Sequence, residues 1–204
     1  MRTHITFALA ALAVVSLTAS VRAEEEHREL GPHVHGHGTL DIAVEDKRVS
    51  MELEVPGMDI VGFEHEASTD AQKAALQKAK SELAKPLTLF SLPASAGCTV
   101  MNAKVALEAE HEGADHDHDA KGEHEEHADA DHDEDEHEGH HHSAFHVSYA
   151  LDCAKPAELT SIAFDYFKAF AGAQSLTVNV VTAKAQSTYE VKRDKPELDL
   201  GGMM

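Results

Sequence analysis

The chain has 204 residues, 42% of them hydrophobic but only 5% aromatic and none tryptophan, with a formal net charge of -20 at pH 7. That length suits one domain whose core must rest on Val, Leu, Ile, Ala and a few Phe. The acidity, with no basic patch to offset it, argues against nucleic acid as a partner, because phosphate repels such a surface.

Arg2 and His4 precede an apolar run from Ile5 to Ala19, followed by Val21-Arg22-Ala23 and the acidic Glu24-Glu25-Glu26. This is the pattern of a secretory signal over residues 1–23, with cleavage expected after Ala23. A membrane anchor is the alternative, but the run is shorter than the ~20 residues a spanning helix needs. No later segment is apolar enough to span, so no stable membrane span is expected once the signal is removed.

His33, His35 and His37 alternate with Val34 and Gly36. Side chains two apart on an extended strand share a side, and Gly36 and Gly38 allow the backbone to bend so that the three imidazoles converge on one ion. The alternative is an unstructured leader. Beyond it, Leu40, Ile42 and Val44 alternate with polar residues, and so do Val49, Met51, Leu53 and Val55, with Glu45-Asp46-Lys47 between them. The spacing predicts a β-hairpin. Pro56-Gly57 then breaks the second strand and predicts a loop carrying Asp59 and Glu64-His65-Glu66. An antiparallel hairpin brings together its two outer ends, so His65 is expected to complete a metal site with His33, His35 and His37.

Thr69-Asp70-Ala71-Gln72 is a capping-box pattern that opens a run of strong helix formers ending before Pro86. Ala75, Leu76, Ala79 and Leu83 form its narrow apolar stripe. Two strands follow, CTVMNAKVALE opening at Cys98 and SAFHVSYALDC closing at Cys153. If they pair antiparallel, the two cysteines face each other at the open end, and an exported chain meets an oxidising compartment where two thiols tend to pair. A pair of buried free thiols is the alternative. His146 lies within the apolar pattern of the second strand and reads as a sheet residue.

Between these strands, residues 111–142 consist almost entirely of histidine, acids and small residues, with Lys121 as the one cation. The segment carries His111, His116, His118, His124, His127, His132, His137, His140, His141 and His142, and it cannot build a core. Imidazole suits zinc, copper and nickel, while dense carboxylates draw any divalent cation inward. The expectation is a disordered insertion that binds first-row metal at several labile sites. A plain solvated linker is the bland alternative, but it has no need of so many histidines.

After Pro156, the run ELTSIAFDYFKAFAG is expected as a short strand to Phe164, then one or two helical turns that start at Asp165 and end at Gly172. Two further β-rich stretches follow, with a turn near Ala185-Gln186. The predicted fold class is α+β: a mainly antiparallel sheet of about six strands with one or two packed helices, built from residues 24–110 and 143–204 and interrupted by the 111–142 insertion.

The run HVHGHGTLDIAVED, the segment LEVPGMDIVGFEHEASTDAQKAAL, the two cysteines flanking the His/acid tract, and the closing DYFKAFAG, LTVNVVT and VKRDKPELDL together resemble the ZrgA-like family of periplasmic zinc-uptake proteins. The likeness covers nearly all of the chain after the signal, and PGMDIVGFEH is its most specific piece. The family pattern has proline where this chain has Ala171 and again near Ala67 and Ser68, departures that fall on turns and not on candidate ligands. The resemblance implies zinc capture in the periplasm and delivery to a zinc import system at the inner or outer membrane.

The residues themselves point to an exported binder of divalent metal ions, with zinc as the expected ion and nickel, cobalt or copper as variants. Imidazole protons compete with metal, so binding should weaken as pH falls through about 6.5. A metal-responsive interaction module for a transporter or receptor is the second reading. An enzyme is not expected: there is no HExxH pattern, nucleophile elbow or Ser/His/Asp set, and His124-Glu-Glu-His127 follows from the composition of the tract.

Overall fold

The computed structural model describes residues 34–110 and 142–204. The chain divides into Met1–Gly31 and Pro32–Met204, and every described residue belongs to the second unit. The expected signal segment, His33 and residues 111–141 lie outside the described residues.

The alternation in the first third produces the hairpin it predicts. Strand β1 (His37–Glu45) pairs antiparallel with β2 (Arg48–Pro56), from Glu45 opposite Arg48 to Thr39 opposite Glu54. Asp46 in the turn adopts φ 51°, a left-handed conformation that Asp tolerates because its short side chain bonds locally. Leu40, Ile42, Val49, Met51, Leu53 and Val55 all point into the core.

Where a loop was expected after Pro56, the chain forms a short helix, α1 (Gly57–Val61). Five residues are too few to show a 3.6-residue period, and Pro-Gly is as compatible with a helix start as with a turn. Helix α2 (Asp70–Leu83) has the full capping box, with Gln72 N–H donating to Thr69 Oγ1 at 3.2 Å and Gln72 Oε1 accepting from Thr69 N–H at 3.1 Å. Such a cap contributes ~1 kcal/mol. Ala79 and Leu83 are the buried residues of α2, and Tyr149 Oη donates to Leu83 O at 2.8 Å, tying the helix end to the sheet. Burial of that phenol raises its pKa well above the usual tyrosine value.

Helix α3 (Pro86–Leu89) and the two-residue strand β3 (Phe90–Ser91) lead to β4 (Cys98–Glu110), which pairs antiparallel with β5 (His142–Cys153). Cys98 lies opposite Cys153, and the two form a disulfide with 3.9 Å between Cα atoms. The free-thiol alternative is excluded. At the other end Glu110 faces His142, so the chain leaves and re-enters the sheet at neighbouring positions. Strand β6 (Ser161–Phe164), helix α4 (Tyr166–Ala169), β7 (Ser175–Thr182), β8 (Gln186–Lys192) and β9 (Glu197–Asp199) complete the fold. Asp165 precedes α4 as expected but makes no capping bond. Its carboxylate accepts from Lys168 and Ser91, and these bonds, Lys168 first, hold its pKa below the usual carboxylate value.

The large sheet has six strands in the order β4-β5-β2-β1-β7-β8, and a second sheet has three in the order β3-β6-β9. The prediction of a mainly antiparallel sheet needs one correction: β1 and β7 run parallel, from His37 opposite Ser175 to Val44 opposite Thr182, so the sheet is mixed. Parallel neighbours need a long crossover, which the whole stretch between β2 and β7 supplies here, and alternation within a strand does not reveal its partner's direction. Among the described residues there are four helices, where one or two were expected. Leu40, Ile42, Phe145, Val147, Val178 and Val180 from the large sheet share one core with Leu83, Phe90, Phe164, Tyr166, Phe167 and Leu198 from the helices and the small sheet.

Candidate metal centre

Three segments meet at the end of the large sheet where β2 finishes and β5 begins, since Pro56 pairs with Ala144. The residues just before β1 reach the same end by antiparallel pairing with β2. This is the convergence expected of a hairpin's outer ends, with the start of β5 added.

Glu64, after α1, lies at the centre. His35 Nε2 donates to Glu64 Oε1 at 3.0 Å, and His142 Nδ1 donates to Glu64 Oε2 at 2.7 Å. Ligand atoms of His35, Glu64 and His142 lie within 4.8 Å of one another. In a tetrahedral zinc site with bonds of ~2.0–2.1 Å the ligand atoms stand about 3.3 Å apart, so modest side-chain rotation closes the set. The Glu64 side chain is 9% exposed, while His35 is 52% exposed and His142 37%. A nearly buried carboxylate thus sits under two imidazoles that open to solvent. To bind an ion, each ring turns a lone pair toward the carboxylate where it now shares a hydrogen, and the metal takes the place of those hydrogens.

The other histidines expected in this site are held elsewhere. Gly36, at φ 85°, turns the chain between His35 and His37, and His37 N–H donates to Val34 O at 3.0 Å across that turn. The two rings therefore part. His37 Nδ1 lies 2.8 Å from Ser175 Oγ and its Nε2 3.0 Å from Thr177 Oγ1, so both nitrogens are engaged with hydroxyls of β7. His65 stacks on Phe63 at 5.2 Å, with Nδ1 donating to Glu66 O at 3.0 Å and Nε2 lying 3.3 Å from Gln72 Nε2. His142, read from the sequence as the last residue of the tract, is the first residue of β5. His111, His116, His118, His124, His127, His132, His137, His140 and His141 lie outside the described residues, as does His33. His146 occupies β5 as expected. Its two ring nitrogens face different carboxylates, Nδ1 3.9 Å from Glu54 and Nε2 4.0 Å from Glu108, so the three do not converge on one ion.

Glu64 is the candidate ligand that the sequence pattern does not single out, His65 beside it being the residue expected there. The signal for the neighbourhood was present in the hairpin, but side-chain direction in an irregular loop has no period to read. Asp59 was likewise placed only in a loop, yet it is 4% exposed, and burial raises its pKa above the ordinary aspartate value despite the opposing bond from Gly36 N–H.

An α+β domain that gathers two imidazoles and a carboxylate at one sheet end is a candidate divalent-metal-binding domain. A family model described as "ZrgA family zinc uptake protein" matches residues 32–200, and the chain belongs to that family. Its role is therefore zinc-related. No curated protein matches the chain. The family and the Cys98–Cys153 bridge fit an extracytoplasmic protein, and among the described residues no helix is long and apolar enough to cross a membrane.

Proposed function

We propose that this chain is a periplasmic zinc-binding protein that captures or buffers zinc and hands it to an import system, working by binding and release without turnover. The observation that carries this reading is the Glu64 carboxylate shared by His35 and His142, ligands from segments separated in sequence and gathered by the fold. Three protein ligands with exposed imidazoles leave a coordination position for water or for a ligand of the accepting protein. An ion held this way can be exchanged, which suits cargo.

The nine histidines and fourteen acids of residues 111–141 serve as a collecting arm of lower affinity. Because β4 ends opposite His142, the arm is rooted at the metal centre. Deletion of residues 111–141, keeping His142, is expected to leave one tight zinc equivalent in calorimetry and to remove the weaker ones. An unchanged total stoichiometry would refute the collecting arm, and loss of the tight equivalent would place the principal site in the tract.

A further inference from the structure

The histidine on the arm before β1 needs something to hold it over Glu64, since it is more exposed than either of its fellow ligands. The next residue, Gly36, is fixed on both of its polar groups. Its N–H donates to both oxygens of Asp59, at 2.7 and 2.9 Å, while its carbonyl accepts from Gln174 N–H at 2.8 Å and Ser175 N–H at 2.9 Å.

Asp59 is itself held by close packing. A Cβ on Gly172 would fall 2.6 Å from Asp59 O and 2.7 Å from Asp59 Cα, so the chain after α4 presses directly on its backbone. At the start of α1, the helix that carries Asp59, a Cβ on Gly57 would lie 2.6 Å from Ser143 Oγ, so α1 also touches the residue beside His142. Helix α1 therefore spans the gap between the two histidine-bearing segments, and the chain leaving it supplies Glu64.

We propose that Asp59 is a positioning residue of the metal centre: its buried carboxylate, gripping Gly36 N–H from α1, holds His35 at the distance from Glu64 and His142 at which one ion can be bound. It touches no metal and acts through His35.

This inference rests on reading His35, Glu64 and His142 as the ligands, and a double-mutant cycle on the full chain separates the two claims. The affinity of the first zinc equivalent is measured by chelator competition for the parent, Asp59→Ala, His35→Ala and the double variant, with metal-free melting recorded for each. Asp59→Ala is expected to weaken zinc binding by about 10- to 100-fold, as removal of outer-shell partners does elsewhere, and to add almost nothing in the His35→Ala background. Asp59→Asn, isosteric and still able to accept from Gly36 N–H, is expected to fall between the parent and Asp59→Ala, and it carries the same cycle if the alanine variant does not fold. Parent-like affinity in the Asp59 variants, or an equal loss with and without His35, would overturn the positioning role. Parent-like affinity in His35→Ala would instead overturn the ligand assignment.

Discussion

Replacing Glu64 with alanine should abolish the tight zinc site and leave a folded protein. Structural zinc sites of four ligands bind with about 10–16 kcal/mol, so one ligand is worth roughly 3 kcal/mol, a factor of order 100 in affinity. Glu64 should cost at least that, because it is the common partner of His35 at 3.0 Å and His142 at 2.7 Å, and without it neither ring is drawn toward the other. Glu64→Gln sharpens the expectation. The amide keeps the shape and one acceptor oxygen but loses the charge, so it should preserve the packing around the site and recover little of the affinity. Equilibrium dialysis at sub-stoichiometric zinc reads the effect, and binding by Glu64→Ala within a few-fold of the parent would contradict it. His65→Ala, one residue away, should leave the affinity unchanged, because that ring is stacked on Phe63 and turned toward Gln72.

The second large effect is on stability. Cys98 and Cys153 are 55 residues apart in sequence, and closing a loop of that length restricts the unfolded chain enough to stabilise the fold by about 4 kcal/mol in the chain-entropy account. Small domains have only ~5–15 kcal/mol in all, so the double Cys→Ser variant should unfold at a much lower urea concentration. Its zinc affinity, measured where it is still folded, should match the parent's. The bridge closes β5 at Cys153 while His142 opens it, and a strand of 12 residues puts roughly 36 Å between them. A parent-like urea midpoint, or a loss of affinity without loss of fold, would contradict this division between a stabilising end and a binding end.

The sequence made the strands legible wherever alternation was long. Val49, Met51, Leu53 and Val55 could face only one way, the capping box at Thr69 marked a helix start, and two cysteines at the outer ends of adjoining strands foretold their own pairing. What it did not show were relations set by tertiary contact. The parallel pairing of β1 with β7 depends on which edge a late strand reaches, and β3 and β9, of two and three residues, are too short to carry a period. The site was legible as a neighbourhood and not as a ligand set. The hairpin brought residues 35 and 64–65 to one end, but the turn at Gly36 sends His35 and His37 to different partners, and the pairing of β5 with β2 draws His142 out of the tract and into the centre. Histidine count alone points to residues 111–142. Geometry adds a carboxylate that composition would never single out.

One zinc ion is expected to bind between His35, Glu64 and His142. Crystals of the full chain loaded with a single equivalent of zinc, measured on both sides of the zinc absorption edge, test it most directly. One anomalous peak is expected, at ~2.0–2.1 Å from a ring nitrogen of His35, a carboxylate oxygen of Glu64 and a ring nitrogen of His142. A peak at His37 or His65, or no ordered peak on the domain while the zinc remains bound, would contradict it.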